Sequence, residues 1–174
     1  MRETPSQTAG PYLHIGMLPA QVGLRYRTLG SDTLTGGGTA IQIEGRVLDG
    51  IGAPCREMVV ELWQADADGR YDGAFRGWAR AGTDFATGLY RFTTVQPGAV
   101  IGAPFVSLWI AARGLNMGLH TRMYFPGDAR NDIDPVLSCV DPARRHTLTA
   151  RAEGGHFVFD ICLQGPNETV FFDV

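Results

Sequence analysis

Basic residues are too few and too scattered in this chain to form a patch. Lysine and arginine number 15 against 18 acidic residues, for a net charge of -3. Without a basic run there is no electrostatic footprint for a phosphate backbone, which argues against a nucleic-acid partner. No window stays apolar over the roughly 20 residues that a bilayer-spanning helix needs. The opening Met1-Arg2-Glu3-Thr4-Pro5 has no apolar region of the signal-peptide kind. Cysteine is limited to Cys55, Cys139 and Cys162. An odd, scattered set fits buried, inert, reduced thiols in a cytoplasm better than a disulfide frame. The histidines are His14, His120, His146 and His156. None stands in a His-x-His or an i, i+4 pair, so spacing yields no metal site, and each is expected to be superficial or structural. The absence of Gly-x-Ser-x-Gly removes support for a serine hydrolase.

What is present is turn-forming residues between short apolar alternations. Glycine numbers 23 and proline 10 in 174 residues, of which 44% are hydrophobic. That is one domain's worth of chain, with enough apolar content for a core of its own. Ala40–Leu48 alternates Ile41, Ile43 and Val47 with Gln42, Glu44 and Arg46. Asp49-Gly50-Ile51-Gly52 then carries a hairpin-type signal. Met58–Ala65 and Leu89–Val95 follow, the latter stopped by Gln96-Pro97-Gly98. Phe105–Ala112 is apolar on both faces and is expected at the centre of the core, with Leu119–Phe125 beside it. Thr147–Arg151, His156–Leu163 and Thr169–Phe172 predict further strands. Asp134-Pro135 predicts the cap and first residue of a short helix through Leu137 and Val140.

This pattern predicts a mainly β protein: an antiparallel β-sandwich with an extended N-terminal arm and short helices. Residues 1–38 read as arm and linker, and residues 39–174 as the sandwich. Pro5 and Pro11 block helix in the arm, which is expected to float free or lie on a partner. Pro19–Gly30 is open between a helical turn and coil. Gly36-Gly37-Gly38 reads as a loose joint, because a strand pattern rather than a helix follows it.

A few side chains stand out chemically. Asp66 and Asp68 could hold a hard cation or merely close a turn, and the turn is favoured. Tyr71 follows that turn. Trp63, Trp78 and Trp109 suggest packing in a core or interface rather than a ligand cage. Arg113 ends an apolar strand, so its guanidinium must meet water, a carboxylate or a ligand anion. In Ala9-Gly10-Pro11-Tyr12 a side-chain-free spot precedes a residue without N–H and then an aromatic, which would let a flat ring approach the backbone.

Several segments, in order, resemble the intradiol ring-cleaving dioxygenases: the arm from Thr4 to Tyr12, Glu61–Asp66 with Gly69 and Tyr71, and Val95-Gln96-Pro97-Gly98. Ala112-Arg113-Gly114, His120-Thr121-Arg122 with Tyr124-Phe125, and Glu168–Asp173 complete the series. The resemblance implies a β-sandwich and cleavage of a catechol ring by O₂ on non-haem Fe(III) held by two tyrosines and two histidines. Here Tyr71 matches one tyrosine position. The second falls on Val100, and the His-x-His positions fall on Phe105 and Ser107. One ligand of four cannot hold ferric iron. By resemblance the chain is therefore the metal-free type of subunit, working beside a homologous iron-bearing β subunit. Its catalytic set would be empty. Its substrate-binding set would be Arg113, Gly10, Pro11, Thr8 and Tyr12, facing protocatechuate at the subunit boundary. The competing reading is a sandwich that binds a small aromatic without catalysis.

Overall fold

A computed structural model describes residues 7–26 and 29–174. Two sheets carry the fold. Strands β1 (Ala40–Leu48), β2 (Met58–Trp63), β3 (Trp78–Gly82), β4 (Leu89–Val95), β5 (Phe105–Ala112) and β6 (Leu119–Tyr124) come first. Short strands β7 (Arg151–Glu153), β8 (His156–Val158) and β9 (Ile161–Cys162) complete the series. One sheet has the order β4-β1-β8-β7, with β9 also on β1; the other is β3-β2-β5-β6. Most pairs are antiparallel, but β8 and β9 both run parallel to β1.

The core lies between the sheets and follows the sequence alternation. Ile43, Val47, Tyr90 and Phe92 from one sheet meet Val60, Leu62, Val106, Leu108 and Ile110 from the other, all essentially inaccessible to solvent. Tyr90 is the polar exception. Its hydroxyl donates to the Phe159 carbonyl at 2.5 Å, which removes the cost of burying a phenol. The helix at Asp134 also forms as the sequence predicts. Helix α2 spans Pro135–Cys139, and the Asp134 carboxylate accepts from the backbone N–H groups of Val136 and Leu137.

Several local expectations fail, each for a tertiary reason. The Asp49 turn forms, with Gly52 N–H bonded to the Asp49 carbonyl. It closes a short antiparallel bridge, Leu48 to Pro54 with Cys55 N–H bonded to the Val47 carbonyl, but β1 and β2 do not pair beyond it, because β1 pairs with β4 and β2 pairs with β3 and β5. The chain there crosses from one sheet to the other. Residues Pro142–Leu148 form a 3-10 helix where a strand through Thr147 was expected, started by the Asp141 side chain on Ala143 N–H. The long strand expected over His156–Leu163 is interrupted between β8 and β9. At the interruption the Asp160 carboxylate accepts from Arg46 N–H in place of a ladder bond. Thr169–Phe172 contributes one bridge, Phe172 to His120, rather than a strand.

The segment ahead of β1 is not loose where it is described. Helix α1 covers Tyr12–Met17, and a 3-10 helix covers Pro19–Val22. Pro11 does not prevent α1, because it sits at the N-cap, where a missing N–H costs nothing. Gln21 Nε2 donates to the Thr83 carbonyl at 2.6 Å, and Pro19 is buried. Further along, the Thr93 carbonyl accepts from Leu34 N–H, and Thr93 N–H donates to the Asp32 carbonyl. The expectation of an arm that floats free or lies on a partner thus misses a third case: the described residues ahead of β1 also rest on this chain's own sheets. Its first residues, Thr4, Pro5 and Ser6, lie outside the described residues.

Candidate functional site

β5 organises the candidate site, and its two ends differ. At its N-terminal end, register places Ser107 opposite Arg122 of β6 and opposite Trp63 of β2. The outward side chains of β5 here are Phe105, Ser107 and Trp109, which are half-buried rather than enclosed as their apolarity suggests. Ser107 and Trp109 floor a cleft of about 530 Å³ whose walls include Trp63, Trp78, Arg122 and Phe172. All three tryptophans of the chain border this cleft, so of the expected packing in a core or interface the core alternative does not hold for them. Gly118 makes room for one of them: a Cβ there would come within 2.0 Å of Trp109 Nε1.

Of the four positions at which the resemblance would place metal ligands, Tyr71, Phe105 and Ser107 lie at the same end. Tyr71 stacks on Trp63 with ring centroids 5.8 Å apart, and Val100 is 44% exposed. Burial pushes the Tyr71 phenol pKa up and the Arg122 guanidinium pulls it partly back, so the neutral phenol prevails. Phe105 offers a hydrocarbon ring and Ser107 a neutral hydroxyl. These donors do not fit ferric iron, which needs anionic oxygen and imidazole ligands. Among the described residues no three His, Cys, Asp or Glu side chains are grouped so as to hold a metal ion. Asp66 is a turn-former: its Oδ1 accepts from the N–H groups of Asp68 and Arg70.

What stands among those positions is Arg122. Its guanidinium lies 4.1 Å above the Phe105 ring and 6.0 Å from that of Phe172. Nη1 donates to Tyr124 Oη over a long 3.4 Å. Tyr124 in turn donates to Asp134 Oδ1 at 3.0 Å, and burial pushes its pKa to about 12. Asp134 also accepts from Ala103 N–H, so one buried carboxylate ties α2, β6 and the loop before β5 together.

The C-terminal end of β5 carries Arg113. It pairs with Glu57 at 2.6 Å, with both side chains about half exposed, at 55% and 51%. The chain turns at Gly114, whose φ of 100° suits glycine. Gly114 N–H donates to Thr8 Oγ1 at 2.7 Å, and that hydroxyl donates to the Leu115 carbonyl at 2.9 Å. Thr8 therefore clips the arm beside Arg113. Six residues on, His14 is buried against Phe85, with ring centroids 5.7 Å apart. Between these anchors the backbone of Gly10, Pro11 and Tyr12 is held outward. Tyr12 is 77% exposed, and a Cβ built on Gly10 would touch nothing within 4 Å. Thr8, Gly10, Pro11, Tyr12 and Arg113 are thus gathered at one end of β5, whereas Tyr71, Phe105 and Ser107 are gathered at the other.

Two residues were not singled out from the sequence. Arg122 stood there only as one member of the His120–Phe125 segment, although a cation two residues before Tyr124 gave a usable signal. Glu57 sat unremarked before β2. His14, expected to be superficial or structural, is buried with Nε2 lacking a partner. Burial lowers its pKa first, Glu57 raises it, and Arg113 lowers it. Of the cysteines, Cys55 and Cys162 are half-buried with thiols pushed up by burial, whereas Cys139 is exposed, contrary to expectation.

A dioxygenase family model matches residues 20–104. The protocatechuate 3,4-dioxygenase alpha chain of Pseudomonas putida is 40% identical, over 98% of this chain and 96% of its own length. The protocatechuate 3,4-dioxygenase beta chain of Burkholderia cepacia is 38% identical over 76% of this chain and 67% of its own. Among solved structures, the dioxygenase domain of a dioxygenase carbohydrate-binding protein fusion from Streptomyces sp. SirexAA-E superposes with a TM-score of 0.63. It is 26% identical, over 93% of this chain and 98% of that one.

Proposed function

The chain belongs to the intradiol ring-cleaving dioxygenase family, and on that premise we propose that it is the iron-free, α-type subunit of a two-subunit enzyme acting on protocatechuate. One observation carries this reading. Likeness to an alpha chain extends over nearly the whole length of both sequences at 40% identity, while only Tyr71 remains of four metal-ligand positions. The family is iron-dependent, and this chain lacks the donors. The Fe(III) then belongs to a homologous β-type partner, and likeness to a beta chain at 38% identity supports a pairing of two similar sandwiches.

The reaction is cleavage of the ring between the two hydroxyl-bearing carbons of 3,4-dihydroxybenzoate. Both atoms of O₂ enter the product, 3-carboxy-cis,cis-muconate, so no further reductant is required. This chain's part is to bind and orient. Arg113 grips the ring carboxylate with two parallel hydrogen bonds, for which a guanidinium is shaped. Its present partner Glu57 must yield or share. That exchange is cheap, because an exposed ion pair is worth about 0–1 kcal/mol. Thr8 fixes the arm, and the backbone at Gly10 and Pro11 gives a ring-sized flat wall ending in Tyr12. Residues 1–38 would thus serve the subunit boundary and residues 39–174 the scaffold. A cytoplasmic setting suits its unpaired cysteines.

Co-expression with a β-type homologue is the test. The two chains should purify together, contain iron in proportion to the β-type chain, and consume protocatechuate and O₂ one to one. A tightly held stoichiometric iron in this chain alone would overturn the assignment. So would a β-type chain that is fully active and never associates with it.

A further inference from the structure

We propose that the cleft around Arg122 is a second binding site, on this chain itself, for a small flat aromatic monocarboxylate of the benzoate class. Its cation is held in place but not satisfied. Stacking on Phe105, with Phe172 nearby, fixes the plane of the guanidinium without using its N–H donors. Among the described residues its one hydrogen bond is the long contact to Tyr124 Oη, and no carboxylate pairs with it. A fork of donors left free in a cleft asks for a planar anion that accepts two bonds.

The walls ask for a ring. Trp63, Trp78 and Trp109 present flat apolar surface to the same space, and about 530 Å³ is ample for one benzene ring with a substituent. The other charges narrow the choice. Glu61 is neutralised by Arg80 Nη2 at 2.5 Å and accepts from Trp78 Nε1 at 3.2 Å. It therefore does not compete for Arg122. His120 adds a polar edge, and Asp173 a negative one. A second carboxylate on the ligand would face Asp173, which favours a monoanion. This site lies at the opposite end of β5 from Arg113. Its occupancy does not depend on the subunit role proposed above, because it is measurable on the chain alone.

The full chain is titrated with benzoate, following tryptophan fluorescence and the indole N–H resonances. Trp63 and Trp78 also border a neighbouring cavity, whereas Trp109 borders this cleft alone, so the Trp109 indole is the specific reporter. Benzoate should quench the fluorescence and shift the Trp63 and Trp109 indoles, and benzyl alcohol should bind at least about tenfold more weakly, lacking the charged pair. Arg122→Met should weaken benzoate by about tenfold or more, Arg122→Lys should retain part of the affinity, and Arg46→Met, an exposed arginine on the other sheet, should change nothing. Equal binding of benzyl alcohol and benzoate would overturn the proposal. So would native-like benzoate affinity in Arg122→Met, or an equal loss of binding in Arg46→Met. If Arg122→Met fails to fold, unshifted indoles in the native protein under saturating benzoate are equally decisive against it.

Discussion

β5 ends beside a cation on both sides, and the two cations are held in different ways. Arg122 faces Ser107, and Arg113 follows the strand six residues later; at about 3.3 Å per residue that is a separation of about 20 Å. Arg113 stands half in solvent with Glu57 as its partner, near an arm clipped by the Thr8 hydroxyl and anchored six residues on by buried His14. Arg122 stands on aromatic rings, above a buried tyrosine and carboxylate that brace three elements. The first arrangement is easily exchanged and suits the carboxylate-binding role proposed for Arg113. The second is rigid and holds a positive charge beside Phe105 and Ser107. A guanidinium attracts anions but supplies no redox chemistry, so the proposed binding there needs no metal.

The difference in rigidity is the easiest part to break. Asp134→Ala should have the largest effect on stability. It removes the cap of α2 and leaves the N–H of Ala103 and the hydroxyl of Tyr124 buried without acceptors. A loss upwards of about 3 kcal/mol is expected in chemical denaturation. A loss below about 1 kcal/mol would mean that the Arg122 end is no stiffer than the other.

Arg113→Leu comes next and acts on function rather than folding. In the assembled, iron-loaded complex, KM for protocatechuate should rise about ten- to 150-fold, corresponding to about 1.5–3 kcal/mol for a charged hydrogen-bonded contact. Turnover at saturation should change less, and catechol, which has no carboxylate, should be handled alike by both proteins. Equal losses on the two substrates would make Arg113 a structural residue.

His14 sharpens the comparison through pH. Its folded pKa lies below its unfolded value, because burial outweighs the attraction of Glu57, and Arg113 acts in the same direction as burial. The unfolded chain then binds the proton more readily. The stability linked to His14 is complete above about pH 6.5 and is lost as pH falls through that value towards the folded pKa. Protection of the α1 amides, corrected for the intrinsic slowing of exchange in acid, should therefore fall below about pH 6.5, and His14→Phe should flatten that dependence while leaving the β6 amides unchanged. An α1 whose exchange ignores both pH and the substitution would remove His14 as an anchor.

Glu57→Gln should have the smallest effect. Folding stability should change by no more than about 1 kcal/mol, as for any exposed pair. KM for protocatechuate should fall by up to a few-fold, because Arg113 no longer has to surrender a carboxylate. A rise in KM would show instead that Glu57 holds Arg113 in its working position.

Much of this was legible in one dimension. The alternations in β1, β4 and β5, and the Asp134-Pro135 start of α2, are local signals that burial and capping reinforce. That Val100, Phe105 and Ser107 offer no imidazole or anionic oxygen to a metal is also readable without coordinates, because a side chain either has such a donor or lacks one. So is the family, through ordered segments from the arm to Asp173. Tertiary structure alone decided the rest. The Asp49 turn crosses between sheets because β1 finds β4, β8 and β9 as neighbours, and pairing over such separations leaves no mark on a turn's own residues. The outer face of β5 is apolar yet half-exposed, because composition does not reveal whether a second layer covers it. Arg122 lies on Phe105, and Arg113 beside Glu57, because register and chain crossing set distances between side chains; sequence states what each group is able to do, and only packing determines which groups meet.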